Sequence, residues 1–188
     1  KRTLEFVIEE RRAALALVIS EKSYKALASD STLALTLRNL KKSFGGFIDL
    51  GLIDPSGIQS YYTGPYDLKN RNYEDQSWFH EVILRGVHVS DVFMGYRNFP
   101  HFVIAYKHEY GPEKFFILRA TLDMELLNRQ VYSLNLDRNT DAFIINREGI
   151  LQTASLFFGP ALRKASVKLP SISSTREIVE ASIDRWQV

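Results

Sequence analysis

The sequence contains no cysteine among its 188 residues. That excludes disulfides, cysteine-ligated zinc, iron–sulfur clusters and a cysteine nucleophile. It leaves the compartment open, since a cysteine-free chain suits the cytosol and the periplasm alike. Long apolar runs are missing too: the longest near the start, residues 13–19, is far below the ~20 residues that span a bilayer. No secretory leader is visible, so the chain reads as soluble and as compatible with being a segment of something larger. Charge of one sign is not in excess. Lys+Arg number 24 and Asp+Glu 22, a net of +2, with no long single-sign run, so no nucleic-acid partner is expected. His80, His88, His101 and His108 are scattered without the i, i+4 spacing or H-E-x-x-H pattern of a zinc site, and no metal is expected. There is no G-x-S-x-G, no P-loop and no G-x-G-x-x-G. No cofactor and no enzymatic activity are expected.

What is present is ordinary globular material. Hydrophobic residues make 45% and charged residues 24%, which argues against disorder. The length suits one large domain or two small ones. No glycine or proline precedes Gly45, and Ala, Leu, Glu, Lys and Arg dominate, which predicts helix. Leu4, Ile8, Leu15 and Ile19 fall on one stripe, interrupted by Arg11 and Arg12. Ser29-Asp30-Ser31 supplies a break and a new N-cap. Leu33, Leu37, Leu40 and Phe44 continue at helical spacing until Gly45-Gly46 stops it.

From Phe47 the period changes. Residues 47–53 read as a strand, Asp54-Pro55-Ser56-Gly57 as a type I turn, and residues 58–63 as the returning strand. Residues 64–72 are a loop, and residues 73–85 a helix with Trp78, Phe79, Val82 and Ile83 inward. Strands are expected over 87–95, 102–107 and 115–121, and a connecting helix over 122–133. Helix, two strands, helix and three antiparallel strands make an α+β pattern.

The chain also repeats itself. Leu52-Ile53-Asp54-x-x-Gly57-Ile58 recurs as Ile144-Ile145-Asn146-x-x-Gly149-Ile150, each position 92 residues on. Asp and Asn are equivalent at the first turn position. The second copy has fewer residues after its glycine than the first. Residues 177–188 are expected to form one strand, with the last strands beyond this chain.

A long N-terminal helix followed by two such modules resembles the double Cache sensor, a tandem PAS-like extracytoplasmic domain of bacterial histidine kinases and chemoreceptors. The residues that carry the resemblance are Gly51-Leu52-Ile53-Asp54-Pro55-Ser56-Gly57, Gly64-Pro65-Tyr66, Gln76-Ser77-Trp78-Phe79-His80 and Ser90-Asp91-Val92-Phe93-Met94-Gly95. Pro100-His101-Phe102-Val103-Ile104-Ala105 and Leu118-Arg119-Ala120-Thr121-Leu122-Asp123 extend it. The resemblance implies stalk and dimerisation helices over 1–45, a membrane-distal ligand-binding module over 46–122, and a connecting helix with a partial membrane-proximal module over 123–188. It implies a small-molecule sensor on the periplasmic or extracellular face of a bacterial inner-membrane protein, most closely a histidine kinase. It also implies a homodimer through the N-terminal helix, with the membrane reached through flanking segments. The alternative is a ligand-free dimerisation or protein-docking module. The family's amino-acid-binding branch has an Arg two residues before a Trp-Tyr pair, a Tyr and an Asp on the fourth strand, and an Asp near the end of the fifth. These positions fall on Gln76, Trp78-Phe79, Phe93, Gly95 and Thr121. Only the Trp is retained, which argues against α-amino acids.

The same placement puts Asp91, Phe93, Ile117, Arg119 and Thr121 on one face by period two. Arg119 among Phe115, Phe116, Ile117 and Leu118 needs a partner. It reads either as a clamp for a carboxylate or phosphate, or as half of an internal ion pair with Asp91 or Asp123. Trp78 and Phe79 read as core or as a ligand's aromatic cover. Tyr61, Tyr66, Arg97 and His101 complete the candidate site. Only one of Tyr61 and Tyr62 can point inward. The expected partner is a small organic ligand, with a carboxylate among the candidates.

Overall fold

The computed structural model describes residues 2–112, 114–134 and 140–166. The strand expected over 177–188 lies outside them.

The Gly- and Pro-free start forms three helices: α1 (Arg2–Glu21), α2 (Tyr24–Leu27) and α3 (Asp30–Phe44). The break before Asp30 is where the sequence places it. A second break, at Ser23, has a plain cause: its side chain accepts the Ala26 amide and starts a new helix. Arg11 does not spoil the α1 stripe. It is buried, and its guanidinium donates to the Val7 and Phe44 carbonyls, the latter an orphan acceptor at the end of α3.

The strands are β1 (Phe47–Ile53), β2 (Gln59–Thr63), β3 (Val87–Val89), β4 (Phe102–Gly111) and β5 (Lys114–Leu122). They form one antiparallel sheet in the order β2-β1-β5-β4-β3. Helix α4 (Ser77–Arg85) precedes β3, and α5 (Glu125–Tyr132) follows β5. Period two separates the faces of β5. Phe116, Leu118, Ala120 and Leu122 pack under α1 and α3, while Ile117 packs with Trp78, Phe79 and Val82 from α4. The sheet is thus covered on both sides, by helices on one and by the 64–85 segment on the other.

One strand is shorter than its sequence suggests. Pairing with β4 stops after Val89, because the Ser90 hydroxyl takes the Val103 amide in place of a backbone carbonyl. The chain then leaves the ladder, returns to bridge Phe93 with His101, and forms a short 3-10 turn at Gly95–Arg97.

The 92-residue repeat is a repeat of backbone geometry. Asp54 Oδ1 accepts the Ser56 and Ile58 amides, and Asn146 Oδ1 accepts the Glu148 and Ile150 amides. Gly57 and Gly149 both sit at positive φ, 86° and 80°. The Gln59 amide donates to Arg71 as Leu151 donates to Arg163, and Tyr73 to Gly57 as Ala165 to Gly149. Even the left-handed residues correspond, Asn70 with Leu162. The second hairpin docks on the first module. The Val92 amide donates to Gln152 Oε1 at 2.7 Å, and Asn146 Nδ2 donates to Asp91 Oδ2 at 2.8 Å.

Candidate functional site

The sheet face turned toward residues 64–85 carries a charged cluster. Register builds it: Asp49 lies opposite Thr121, and Gly51 lies between Arg119 on β5 and Tyr62 on β2. Arg119 Nη2 donates to Asp49 Oδ1 at 3.0 Å. Arg97, delivered from the 3-10 turn, donates to Asp49 Oδ2 and to Thr121 Oγ1. The Tyr62 hydroxyl donates to Asp49 Oδ2 at 3.2 Å. Side-chain exposure is 0% for Asp49, 1% for Arg97 and 2% for Arg119. One carboxylate therefore holds two guanidinium groups out of water.

Aromatic rings cover the cations. Tyr73 lies 5.0 Å from the Arg119 guanidinium, and Tyr66 lies 5.0 Å from that of Arg97. Several buried donors have no hydrogen-bond partner among the described residues: Arg97 Nε and Nη1, Arg119 Nε, the Tyr73 hydroxyl and Trp78 Nε1. Between Arg97, Arg119 and Tyr73 lies a cavity of about 10 Å³, lined also by Leu68, Gln76, Phe93 and His101.

Burial sets the protonation states. It lowers His101 to about 4, opposed by a hydrogen bond to the Phe99 carbonyl and helped by Arg97 and Arg119. The imidazole is neutral at pH 7. Burial raises Tyr62 well above the tyrosine range, with Asp49 adding to the rise, and it raises Tyr73 as well. Both stay phenols. Burial also pulls Arg97 below the usual arginine value, with Asp49 opposing.

The residues proposed from sequence divide into three groups. Arg97 and Arg119 converge on one carboxylate and Thr121 accepts from Arg97, with Phe93, His101 and Tyr66 around them. Trp78 and Phe79 lie behind Tyr73 in the core cluster rather than on the cavity wall. Tyr61 and Asp91 lie elsewhere. Tyr61 packs on the helical side of the sheet, so Tyr62 is the inward member of that pair. Asp91 is exposed and bonded to Asn146, because the segment after Val89 is not a strand and period two does not apply to it. Arg119 is ion-paired, but with neither Asp91 nor Asp123.

Its partner, Asp49, went unread because residues 47–53 pass for a plain apolar strand. The signal was there: an acid two positions before Gly51, inside an apolar run, needs a buried partner. Gly51 matters for space, since a Cβ there would lie 1.9 Å from Gln59 Oε1. Among the described residues no cluster of His, Asp and Glu suits a metal ion, and no helix is long and apolar enough to cross a membrane.

This arrangement is the fold of extracellular sensor domains, the Cache-type architecture expected from the sequence. The chain superposes on the extracellular domain of rpHK1S-Z16, designated a histidine kinase, with a TM-score of 0.63 and 14% identity, over 85% of this chain and 67% of that one. An extracellular ligand-binding receptor from Desulfohalobium retbaense matches with a TM-score of 0.69 and 11% identity, over 87% of this chain and 31% of that one. The sensory domain of the Campylobacter jejuni chemoreceptor Tlp3, with isoleucine bound, matches at 0.59 and 12% identity, over 82% and 65%. The chain spans about two thirds of the kinase and chemoreceptor domains and under a third of the Desulfohalobium receptor. No family model matches the chain, and no curated protein matches it in sequence.

Proposed function

We propose that this chain is the extracytoplasmic small-molecule sensing region of a bacterial transmembrane receptor, with a histidine kinase as its closest type. One observation carries the reading: two arginines with buried side chains, and with donors unpaired among the described residues, face a small cavity between the sheet and the 64–85 segment. A structural ion pair needs one arginine; the second, and the spare donors, are costs that a ligand would repay. The fold supports the same reading, since the sensor domains that share it are extracellular and one holds isoleucine. The ligand-contact residues on this reading are Arg97, Arg119, Tyr66, Tyr73, Phe93, His101 and Thr121. Trp78 and Phe79 back them.

Binding would act by population. A ligand shifts the balance of two arrangements only by its differential affinity for them. The segment from Val89 to His101 carries Arg97 and is hydrogen-bonded to the second hairpin, which couples occupancy of the site to the second module. Phe6 and Leu17, 64% and 60% exposed on α1, are the surface through which a second copy would pair. Such a domain senses and does not catalyse.

The test is a thermal-shift screen with short carboxylates, amino acids, amines, sugars and nucleobases, run beside Arg119→Ala. A ligand at 100 times its Kd adds about 2.7 kcal/mol, a rise of a few degrees. A hit lost in the variant supports the site. A protein-docking or dimerisation scaffold is the second reading, favoured by the small volume of the cavity and by the Asp49 pairing of both arginines. Silence across the panel, with the dimer intact by light scattering, would make that scaffold the better account.

A further inference from the structure

The buried charge at the centre of the sheet does not balance. Asp49 contributes one negative charge, and Arg97 and Arg119 contribute two positive ones, all with side chains at most 2% exposed. The titratable neighbours leave the sum unchanged, because His101 is neutral and Tyr62 and Tyr73 keep their protons. Among the described residues the remainder is a single positive charge out of water, which proteins rarely leave uncompensated.

The unpaired donors and the empty space coincide. Among the described residues Arg97 Nε and Nη1, Arg119 Nε and the Tyr73 hydroxyl lack partners, and these three residues line the same small cavity. A volume of about 10 Å³ holds one water-sized particle. Its remaining wall is apolar or neutral, from Leu68, Phe93 and His101. Gly95 keeps the space tight, since a Cβ there would lie 2.7 Å from the His101 ring.

We propose that this cavity binds one compact monovalent anion, a halide or the carboxylate head of a short monocarboxylic acid, with Asp49 as the built-in counter-ion that restricts the site to a single negative charge. The inference rests on the sensing reading and sharpens it. One added negative charge brings the buried sum to zero. A dianion would leave a net negative charge, and a zwitterion or a cation would leave the positive charge uncompensated. Tyr73 supplies a hydroxyl donor that no described residue accepts.

The test is a titration of the whole chain, exchanged into sodium methanesulfonate so that the background salt carries neither halide nor carboxylate, by calorimetry and thermal shift at constant ionic strength. The probes are bromide, formate and acetate as monoanions, sulfate and malonate as dianions, and glycine and ethylammonium as controls. Tyr73→Phe removes one spare donor and touches no ion pair, so it should fold as the parent does. Asp49→Asn raises the buried sum by one.

Saturable binding of a monoanion but not of sulfate, malonate or glycine is the expected result. It should weaken about tenfold or more in Tyr73→Phe, the worth of one hydrogen bond to a charged group. In a folded Asp49→Asn, which adds a second uncompensated positive charge, formate and bromide should bind more tightly than to the parent. Bromide binding without formate identifies a halide site, and displacement of bromide by formate or acetate identifies the acid head. Binding of dianions or glycine with the same sensitivity to Tyr73→Phe would overturn the charge argument and leave the sensing reading standing. A uniform salt effect that ignores Tyr73→Phe would overturn the proposal as mere screening. No binding by any probe, together with silence in the broader ligand screen, would bring down both.

Discussion

The two hairpins of this chain share a backbone and differ in what they carry. Asp54 and Asn146 make the same turn, with the same glycine three residues on and the same return bond to that glycine from sixteen residues beyond it. Asp49 and Asp141 occupy equivalent places 92 residues apart, yet their surroundings diverge. Asp49 is fully buried between two arginines. Asp141 is half-buried and accepts from the Ser155 hydroxyl and the Phe157 amide. The turn is therefore written by two residues and is indifferent to the chemistry beside it. The chemistry depends on residues brought in from other elements, Arg97 from the 3-10 turn and Arg119 from β5.

Substitutions can break this comparison, and the largest effect should come from its charged member. Asp49→Ala strands two buried guanidinium groups and should cost about 3–5 kcal/mol, whereas Asp141→Ala should cost about 1 kcal/mol. Urea unfolding of both variants measures the gap, and equal losses would mean that the two carboxylates do the same work.

Next in size is a pH effect confined to the first module. His101 in the folded chain resists protonation down to about pH 4, while the unfolded chain takes that proton near 6.5. Stability is therefore fully present above pH 6.5 and falls as the pH drops toward 4, by up to about 3 kcal/mol. His101→Gln should flatten that part of the pH–stability curve. A curve as steep as the parent's would place the titration elsewhere.

The shared turn offers the smaller effects. Gly57→Ala and Gly149→Ala each force a side chain to positive φ, at about 1–2 kcal/mol. Gly57 should be the costlier, since its Cβ would lie 2.7 Å from the Glu74 amide. Asp54→Ala and Asn146→Ala each release two backbone amides, a loss of about 1 kcal/mol that thermal unfolding can compare directly. Unequal losses there would show that the two turns are less alike than their hydrogen bonds.

What could be read in the sequence follows the same division. The hairpin, its repeat and the two faces of β5 rest on local signals, namely turn residues and period two, and all are seen in the structure. The end of β3 was not legible, because Ser90 ends it by a side-chain bond that no periodicity announces. The site was half legible. Arg119 stood out as a charge in an apolar strand, but Asp49, equally out of place in β1, did not. Its partnership with Arg97 spans 48 residues, and only the sheet order brings them together.

One bond between the hairpins has a thermodynamic consequence. The Val92 amide is buried and, among the described residues, its partner is Gln152. Separating the two would leave a donor without water or partner, at about 1–3 kcal/mol. The first module's stretch from Val89 to His101 thus has no complete hydrogen-bond inventory of its own. It borrows one member from sixty residues downstream. Any displacement that carries Phe93 and Arg97 must either take the second hairpin with it or give up that bond, and with it the exposed Asn146–Asp91 bond beside it, so the two behave as one cooperative unit.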